Sequence, residues 1–197
     1  MKSHFFAYIS RMRFIQRWAL MRNTAPENVQ EHSHQVAVLA HALAVIRNEK
    51  FGGRLDPGAV AVAALYHDAS EILTGDMPTP VKYKNEALRS AYKAVEQESA
   101  RLMASLQPEA LRSETEEFLT GRVLNDAERK ILKAADRLSA LIKCLEECQS
   151  GNREFEAARE QQLAALHGMD CPEAEYFITH MLPCYTQNLD ELTRGRF

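Results

Sequence analysis

The chain has 197 residues and a mass of 22.3 kDa, which is the size of a single domain. Its apolar fraction of 46% and charged fraction of 26% are typical of a globular protein and exclude a disordered tail, a fibrous repeat or a cysteine scaffold. The net charge of −3 is unevenly distributed, because residues 1–26 carry five Lys or Arg and no acid. Since the acidic remainder would repel a long polyanion, we expect a small anion rather than a nucleic acid as the partner of this basic segment.

No apolar stretch approaches the ~18–20 residues that a membrane-spanning helix requires, so we expect no membrane partner. Residues 5–9 (FFAYI) are the nearest equivalent of a targeting segment. They are shorter than the ~7–15-residue apolar core of a signal peptide, and no small-residue cleavage pattern follows them. These features favour a cytoplasmic location, in which the four cysteines are expected to be reduced thiols.

Apolar residues recur at helical intervals along almost the whole chain, which predicts an all-α fold in one compact domain spanning residues 1–197. The first long helix is predicted to follow Pro26 and to end near Gly52-Gly53. Asp56-Pro57 is typical of an N-cap and first helical residue. The segment that follows, residues 59–66, is apolar on every side, so we expect this short helix to be buried all round.

Residues 75–80 (GDMPTP) interrupt the helical pattern. Pro78 and Pro80 each fix a φ angle, which predicts a stiff loop rather than a mobile one. Beyond this loop the pattern predicts four further helices, at about 85–106, 126–148, 154–166 and 172–192.

Four side chains that can bind a metal lie on or beside the buried stripes of separate predicted helices. They are His32 in the first long helix, the pair His67-Asp68 at the end of the short apolar helix, and Asp136 in the helix over residues 126–148. Each one alone is more often a hydrogen-bonded core residue or a helix cap. Because buried carboxylates need partners, a divalent cation held by all four explains the combination. Two imidazoles and two carboxylates leave coordination positions open, as in a catalytic site, and suit zinc, manganese, cobalt or iron.

The order His32, His67-Asp68, Asp136 resembles the H…HD…D signature of the HD-domain metal-dependent phosphohydrolases, an all-helical superfamily. Further segments resemble the bacterial 5′-deoxynucleotidases of the YfbR type: 17–23 (RWALMRN), 27–33 (ENVQEHS), 67–71 (HDASE) and 74–83 (TGDMPTPVKY). The resemblance implies a single HD-domain helical bundle that hydrolyses deoxyribonucleoside 5′-monophosphates to deoxynucleoside and phosphate. It also implies a divalent metal, typically cobalt or manganese, and a homodimer.

Two residues are candidates for catalysis. Glu71 follows His67 by one helical turn, so a continuing helix would point it the same way. We expect it to act as the general acid or base while metal-bound water attacks the phosphorus, the alternative being an ordinary surface glutamate. Given the resemblance, Arg17 is expected to bind the phosphate and stabilise its developing charge, because a guanidinium pairs two phosphate oxygens; otherwise it would be one more solvated arginine.

The resemblance also assigns substrate contacts. Trp18, which composition alone would place in the core, is expected to line the sugar pocket and leave no room for a ribose 2′-hydroxyl. The loop residues Asp76, Met77, Pro78 and Thr79 offer a carboxylate and a hydroxyl, so we expect them to hold the sugar 3′-hydroxyl and the phosphate, the alternative being a plain proline-rich turn. The metal ligands Asp68 and Asp136 are expected to contact the substrate as well. No set of base-reading residues is apparent, so broad tolerance of the base is expected.

Several alternatives stay open. Cys144 and Cys148, one turn apart, with Cys171, His180 or Cys184, are a second candidate zinc site, although their spacing fits no compact zinc module. Another HD-type hydrolase, acting on a triphosphate, a phosphodiester or a guanosine alarmone, is the nearest rival function. A non-catalytic helical regulator that binds nucleotide or DNA through the basic segment is a third possibility. His34 and His41 lie off the His32 stripe, which favours a solvated or interface face.

Overall fold

The computed structural model describes residues 3–82 and 84–194, so Tyr83, the last residue of the 74–83 motif, lies outside the described residues. Within these ranges the chain is helical, with no β-strand and one isolated antiparallel bridge between Gln16 and Asn28. The α-helices are α1 (Phe5–Ile9), α2 (Val29–Phe51), α3 (Pro57–Tyr66), α4 (Glu71–Thr74), α5 (Thr79–Lys82), α6 (Glu86–Ser105), α7 (Glu109–Leu119), α8 (Asp126–Gln149), α9 (Glu156–His167), α10 (Pro172–His180) and α11 (Leu189–Thr193). Short 3₁₀ helices cover Ser10–Phe14, Arg153–Phe155 and Leu182–Thr186.

The N-cap residues of α2 and α3 determine where these two helices start. Asn28 and Glu31 form a reciprocal capping box, so α2 begins at Val29 and not directly after Pro26 as predicted. Gly52 ends this helix at φ 65°, a left-handed conformation that glycine adopts without steric cost. The prediction for α3 is confirmed, because Asp56 Oδ1 accepts from the backbone N–H of Ala59 at 3.0 Å.

Three other predictions about elements were wrong. Helix α3 is not buried all round, since Val62 and Leu65 are 37% and 43% exposed. The helix predicted over 172–192 is three separate elements, because Pro183 has no N–H to continue the ladder beyond α10. The stiff loop predicted over residues 75–80 ends earlier, where α5 begins at Thr79.

The main hydrophobic core lies where α2, α3, α8 and α10 pack against one another. Its largest members include Leu43 of α2 and Ile131, Leu138 and Ile142 of α8, all of them fully or almost fully buried. The candidate metal ligands lie on α2, on α8 and in the turn that directly follows α3. The fold therefore brings together residues that are far apart in sequence.

The second cluster anchors the basic N-terminal segment. Phe5 of α1 and Met12 of the following 3₁₀ helix are buried there against Val29, Ala69 and Met103. The described part of this segment is therefore packed on the domain instead of projecting as a free arm. None of the described helices combines the length and apolar character that a bilayer-crossing segment needs.

Candidate active site

Side chains from α2, from the turn after α3 and from α8 meet at one point. One ligand atom each from His32, His67 and Asp68 lies within 4.8 Å of the other two. Asp136 completes the group, with its Oδ1 3.1 Å from His32 Nε2. Nε2 of His67 lies 3.1 Å from Asp68 Oδ2, and Nε2 of His32 lies 3.6 Å from the same oxygen. The four residues predicted as metal ligands are thus brought together.

In each histidine, a hydrogen bond of Nδ1 fixes the orientation of the ring. His67 Nδ1 lies 2.7 Å from the carbonyl oxygen of Ala64, which can only accept, so Nδ1 carries the proton. His32 Nδ1 lies 3.0 Å from Ser139 Oγ, whose hydroxyl in turn donates to Gln35 Oε1 at 2.7 Å. The Ser139 hydroxyl uses its proton in the bond to Gln35 and therefore accepts from His32. Both histidines thus turn the remaining ring nitrogen, Nε2, towards the carboxylates.

This arrangement fits a divalent cation. The buried Nε2 atoms of His32 and His67 find no hydrogen-bond partner among the described residues, and each faces a carboxylate oxygen. A cation shared by such a nitrogen and oxygen, either a proton or a metal ion, satisfies both atoms. Although burial opposes a charged ring, the charges of Asp68 and Asp136 raise the pKa of His67 to about 9. The pocket thus favours positive charge, and its mixed N and O donors suit a transition metal.

Glu71 lies at the start of α4, immediately beyond a turn that ends the α3 helix. The expectation that one continuous helix carries His67, Asp68 and Glu71 was wrong, because α3 stops at Tyr66 and α4 starts anew. The turn nevertheless returns Glu71 to the site, with its N–H donating to the Asp68 carbonyl at 3.0 Å. Its side chain is buried, and Oε2 has no hydrogen-bond partner within the described ranges. Burial, and then the charges of Asp68 and Asp76, raise the pKa of Glu71 to about 10.

Arg17 and Trp18 reach the site from the segment between the first 3₁₀ helix and α2. The Nη1 of Arg17 lies 3.6 Å from Asp68 Oδ2, and its Nε donates to Glu27 Oε2 at 3.0 Å. Although burial opposes its charge, these two carboxylates raise the pKa of Arg17. The indole of Trp18 packs at a tilt on Phe155, with ring centroids 5.3 Å apart. Arg17 is therefore a charged side chain that two carboxylates hold beside the metal-ligand cluster, and it is not a solvated arginine.

The loop between α4 and α5 lies on the same side of the domain as Arg17. Burial, and then the charge of Asp68, raise the pKa of Asp76, whereas the charge of Arg17 opposes the rise. Met77 and Pro78 are half-buried, and Thr79 is exposed at the first position of α5. Tyr92 of α6 braces the loop by donating to the Gly75 carbonyl at 3.3 Å. Of the four loop residues predicted to hold substrate, Asp76 is therefore close enough to Arg17 and Asp68 for their charges to act on it, whereas Thr79 is exposed and makes no hydrogen bond with the cluster within the described residues.

Known proteins are similar in sequence to this chain over nearly its whole length. A family model described as 5′-deoxynucleotidase YfbR-like matches residues 4–185. A 5′-deoxynucleotidase of Vibrio parahaemolyticus is 46% identical over 192 residues, which cover 98% of this chain and 99% of that protein. The 5′-deoxynucleotidase YfbR of Escherichia coli is 45% identical over 193 residues, covering 98% and 97%.

This chain belongs to the YfbR-like family.

Solved structures share the fold of this YfbR-like chain. An HD-domain phosphohydrolase from Listeria innocua superimposes with a TM-score of 0.81 at 26% identity, covering 96% of this chain and 92% of that one. A cyanophage S-2L HD phosphohydrolase, solved with dA and one catalytic Zn²⁺ ion, has the same fold with a TM-score of 0.66 at 19% identity. The predicted all-α HD-domain bundle and the predicted family are both confirmed.

Sequence reasoning missed the residues that hold the site of this YfbR-like chain in place. Ser139 and Gln35 orient His32, and Glu27 accepts from both Arg17 Nε and Trp18 Nε1. Ser139 comes one turn after Asp136 on α8, which places both on one face and is the only signal that the sequence offers. Glu27 sits in the quoted 27–33 motif, but nothing in its spacing indicates which side chains it contacts.

A buried ion pair anchors the segment that follows Trp18. Lys143 and Glu147, one turn apart on α8, are almost completely buried and paired. Glu147 accepts from the N–H groups of Thr24 and Ala25 and from the amide of Asn152, while Lys143 donates to the Ala25 carbonyl. The backbone that follows Trp18 is therefore fixed to α8 by charge-assisted hydrogen bonds.

The second candidate zinc site does not form. Among the described residues, the one group of potential ligands that lies within 4.8 Å is that of His32, His67 and Asp68; it includes no cysteine, and the four cysteines are unbridged. Cys144 and Cys171 are buried, and burial raises the pKa of their thiols to about 12 and about 11. These two cysteines are core residues. His34 and His41 are exposed on α2, on the face that also carries Val38 and Val45.

Proposed function

We propose that this chain is a metal-dependent 5′-deoxynucleotidase, which hydrolyses deoxyribonucleoside 5′-monophosphates to deoxynucleoside and phosphate. The observation that carries the proposal is the convergence of one ligand atom each from His32, His67 and Asp68 within 4.8 Å, with the guanidinium of Arg17 3.6 Å from Asp68. Membership of the YfbR-like family, whose named relatives are 5′-deoxynucleotidases, supports the substrate class.

His32, His67, Asp68 and Asp136 are the proposed ligands of a divalent cation. When bound there, the cation supplies Lewis-acid polarisation of the phosphoryl group and lowers the pKa of water from ~15.7 to about 7. We propose cobalt or manganese as the active metal, with zinc as the next candidate, since an imidazole and carboxylate set accepts all three. The Ser139 and Ala64 contacts keep both imidazoles oriented for this purpose.

Glu71 is the proposed general acid and base. Its carboxyl is buried beside the ligand cluster and one of its oxygens is uncommitted, so it can exchange a proton with a reacting group. Near neutral pH a carboxyl with a raised pKa holds a proton, which it can deliver to the 5′-oxygen of the leaving deoxynucleoside. The same carboxylate then accepts a proton from the next water molecule.

Arg17 is the proposed phosphate ligand. With its Nε on Glu27 and its Nη1 next to Asp68, the guanidinium directs its outer edge towards the space in front of the metal ligands. A fixed positive charge there stabilises the charge that develops on the phosphoryl oxygens in the transition state. It requires no reorganisation during the reaction, because both of its contacts exist before substrate arrives.

Trp18 and the loop residues Asp76, Met77, Pro78 and Thr79 form the proposed sugar site, together with Asp68 and Asp136. The indole is held on Phe155, so a ribose 2′-hydroxyl directed at the ring would lose its hydrogen bonds to water without replacement. Discrimination against ribonucleotides follows from this cost. The Asp76 carboxylate and the Thr79 hydroxyl suit the sugar 3′-hydroxyl and the phosphate.

The proposal is tested by phosphate release from paired deoxyribo- and ribonucleoside 5′-monophosphates, with EDTA treatment and metal add-back. We expect release from dAMP to exceed release from AMP and to disappear with EDTA. Measurements on dATP and bis(p-nitrophenyl) phosphate serve as controls for the other HD-type reactions. Preferential hydrolysis of either compound, or salt-dependent DNA binding without phosphatase activity, would contradict the proposal.

We propose further that residues 1–197 act as one domain, that the enzyme is a cytoplasmic homodimer, and that it binds neither nucleic acid nor membrane. Exposed Val38 and Val45 lie on one face of α2 with His34 and His41, which supports a self-association surface. Sedimentation equilibrium tests the dimer, and limited proteolysis tests the single domain. A monomer at micromolar concentration would contradict the proposed assembly.

A further inference from the structure

Two neighbouring side chains of the candidate substrate site share one hydrogen-bond acceptor. Glu27 Oε2 accepts from Arg17 Nε at 3.0 Å and from Trp18 Nε1 at 2.9 Å. We propose that Glu27 is a positioning residue that sets the phosphate-binding guanidinium and the sugar-facing indole relative to each other. This inference rests on the proposed function, since it assigns Glu27 the task of coupling phosphate orientation to sugar selection.

The backbone places the Glu27 carboxylate where it can do this. Gln16 and Asn28 form the isolated antiparallel bridge, and the Arg17 N–H donates to the Glu27 carbonyl at 2.9 Å. The two stretches of chain therefore run side by side, and Glu27 lies directly opposite Arg17. Its side chain is only 11% exposed, so its contacts are made largely out of water, where charge-assisted hydrogen bonds are strong.

Trp18 needs such support because its backbone conformation is unfavourable. It has φ 58°, in the left-handed region that a bulky residue rarely adopts. A residue held there relies on the surrounding structure to keep it in place. The Nε1 bond to Glu27 fixes one edge of the indole, and Phe155 packs against the ring at 5.3 Å. The ring is consequently held by two independent contacts.

The bond from Arg17 Nε to Glu27 Oε2 determines which nitrogen atoms of Arg17 remain available to bind phosphate. Since Nε is engaged by Glu27, the two Nη groups remain as the donors for phosphate, and Nη1 is already 3.6 Å from Asp68 Oδ2. A guanidinium recognises phosphate by two parallel N–H bonds, so its plane must be set correctly. Glu27 sets that plane and the position of the indole through one atom. Moving this atom would disturb both substrate contacts at once.

The experiment compares Glu27→Ala and Glu27→Gln with a matched control, Glu49→Ala, which alters an exposed glutamate of α2. Three quantities are measured: kcat and KM on dAMP, the ratio of kcat/KM between dAMP and AMP, and the fluorescence of Trp18. Because Trp18 is the single tryptophan of the chain, its emission reports on this indole alone. Circular dichroism verifies that each variant keeps its helical content.

Glu27→Ala is expected to lower kcat/KM on dAMP by about tenfold or more, to reduce the dAMP to AMP ratio, and to shift the Trp18 emission. Glu27→Gln retains a carbonyl oxygen that accepts from both donors but loses the charge. It is therefore expected to restore the emission and the ratio while kcat/KM stays below that of the wild type. Glu49→Ala should match the wild type in all three.

A folded Glu27→Ala variant with unchanged emission and an unchanged dAMP to AMP ratio would overturn the inference, because Glu27 would then contribute charge alone. If Glu27→Ala does not fold, Glu27→Gln decides: an altered emission and an altered dAMP to AMP ratio in that variant would overturn the inference, because the charge and not the shared acceptor would then be decisive. Failure of the proposed function is recognised separately, since the wild-type enzyme would then hydrolyse neither dAMP nor AMP. The emission of Trp18 tests the Glu27 contact in that case too.

Discussion

His32 Nε2 lies 3.1 Å from Asp136 Oδ1, although the two residues sit on different helices and are separated by more than half the chain. The Nδ1 of His32 is engaged by Ser139, so Nε2 is the ring nitrogen that faces the carboxylate. A nitrogen and a carboxylate oxygen that face each other at this distance can bind one cation together. The contact is therefore consistent with the proposed metal site.

Metal removal should abolish activity and lower stability together. A cation that binds only the folded protein stabilises it in proportion to the logarithm of its concentration over Kd. We expect EDTA to eliminate phosphate release from dAMP and to lower the melting temperature, and Co²⁺ or Mn²⁺ to restore both. Differential scanning fluorimetry and a phosphate assay on the same samples measure this. Full activity after exhaustive chelation would rule out the metal.

Glu71→Gln should nearly abolish turnover without releasing the metal. The amide has almost the same shape but cannot exchange a proton, and a positioned acid or base contributes about 10²–10⁴-fold to a rate. We expect kcat on dAMP to fall within that range, while the metal content determined by elemental analysis stays at the wild-type level. Near-normal turnover would remove Glu71 from the chemistry.

Ser139→Ala should weaken metal binding while leaving every proposed ligand in place. Ser139 accepts from His32 Nδ1, and loss of such a partner lowers metal affinity by about 10–100-fold. The exposed Ser90 of α6 offers a matched control as Ser90→Ala. Metal titrations followed by activity compare the two variants. Equal affinities would show that Ser139 does not orient the ligand.

Trp18→Ala should raise the activity on AMP relative to dAMP. The substitution removes the ring that is proposed to face C2′ and opens room for a hydroxyl and its water. We expect kcat/KM on dAMP to fall and the ratio of dAMP to AMP to approach unity. Parallel assays with both nucleotides at several concentrations give the ratio. A ratio unchanged from the wild type would place sugar selection elsewhere in the site.

Glu147→Gln should change how stability depends on pH. Burial opposes ionisation of Glu147, but hydrogen bonds from Lys143, Thr24 and Asn152 lower its pKa below the ordinary 4.5. A carboxyl with a lowered folded-state pKa contributes stability that is present above its unfolded pKa and is lost as the pH falls through the folded value. The wild type should therefore lose stability below pH 4.5 more steeply than Glu147→Gln.

At neutral pH the same variant is expected to be less stable by about 3 kcal/mol, because Lys143 is left buried without its counter-charge. Urea unfolding at a series of pH values measures both effects, with the exposed Glu49→Gln as control. Parallel pH profiles for Glu147→Gln and the wild type would mean that the ion pair does not contribute in this way.

Local sequence patterns were sufficient to predict the starts of α3 and α8. Asp56-Pro57 begins α3 as predicted, and α8 begins at the predicted Asp126, because capping side chains act on backbone N–H groups three residues away. The prediction of one helix over 172–192 was wrong, because apolar residues continue at helical spacing past Pro183 whereas the backbone hydrogen bonds of the helix do not. The prediction that Val62 and Leu65 are buried was also wrong, because apolar composition does not say which face of a helix a neighbour covers.

The sequence by itself determined the helical class, the family and the identity of the four candidate ligands, since residue type and spacing are local properties of the chain. Only the tertiary structure decided which ring nitrogen of His32 and His67 faces the carboxylates, the return of Glu71 through a turn, and the shared contact of Glu27 with Arg17 and Trp18. These features depend on the distance between atoms of different elements. Such distances arise from how the helices pack, which no local pattern of residues encodes.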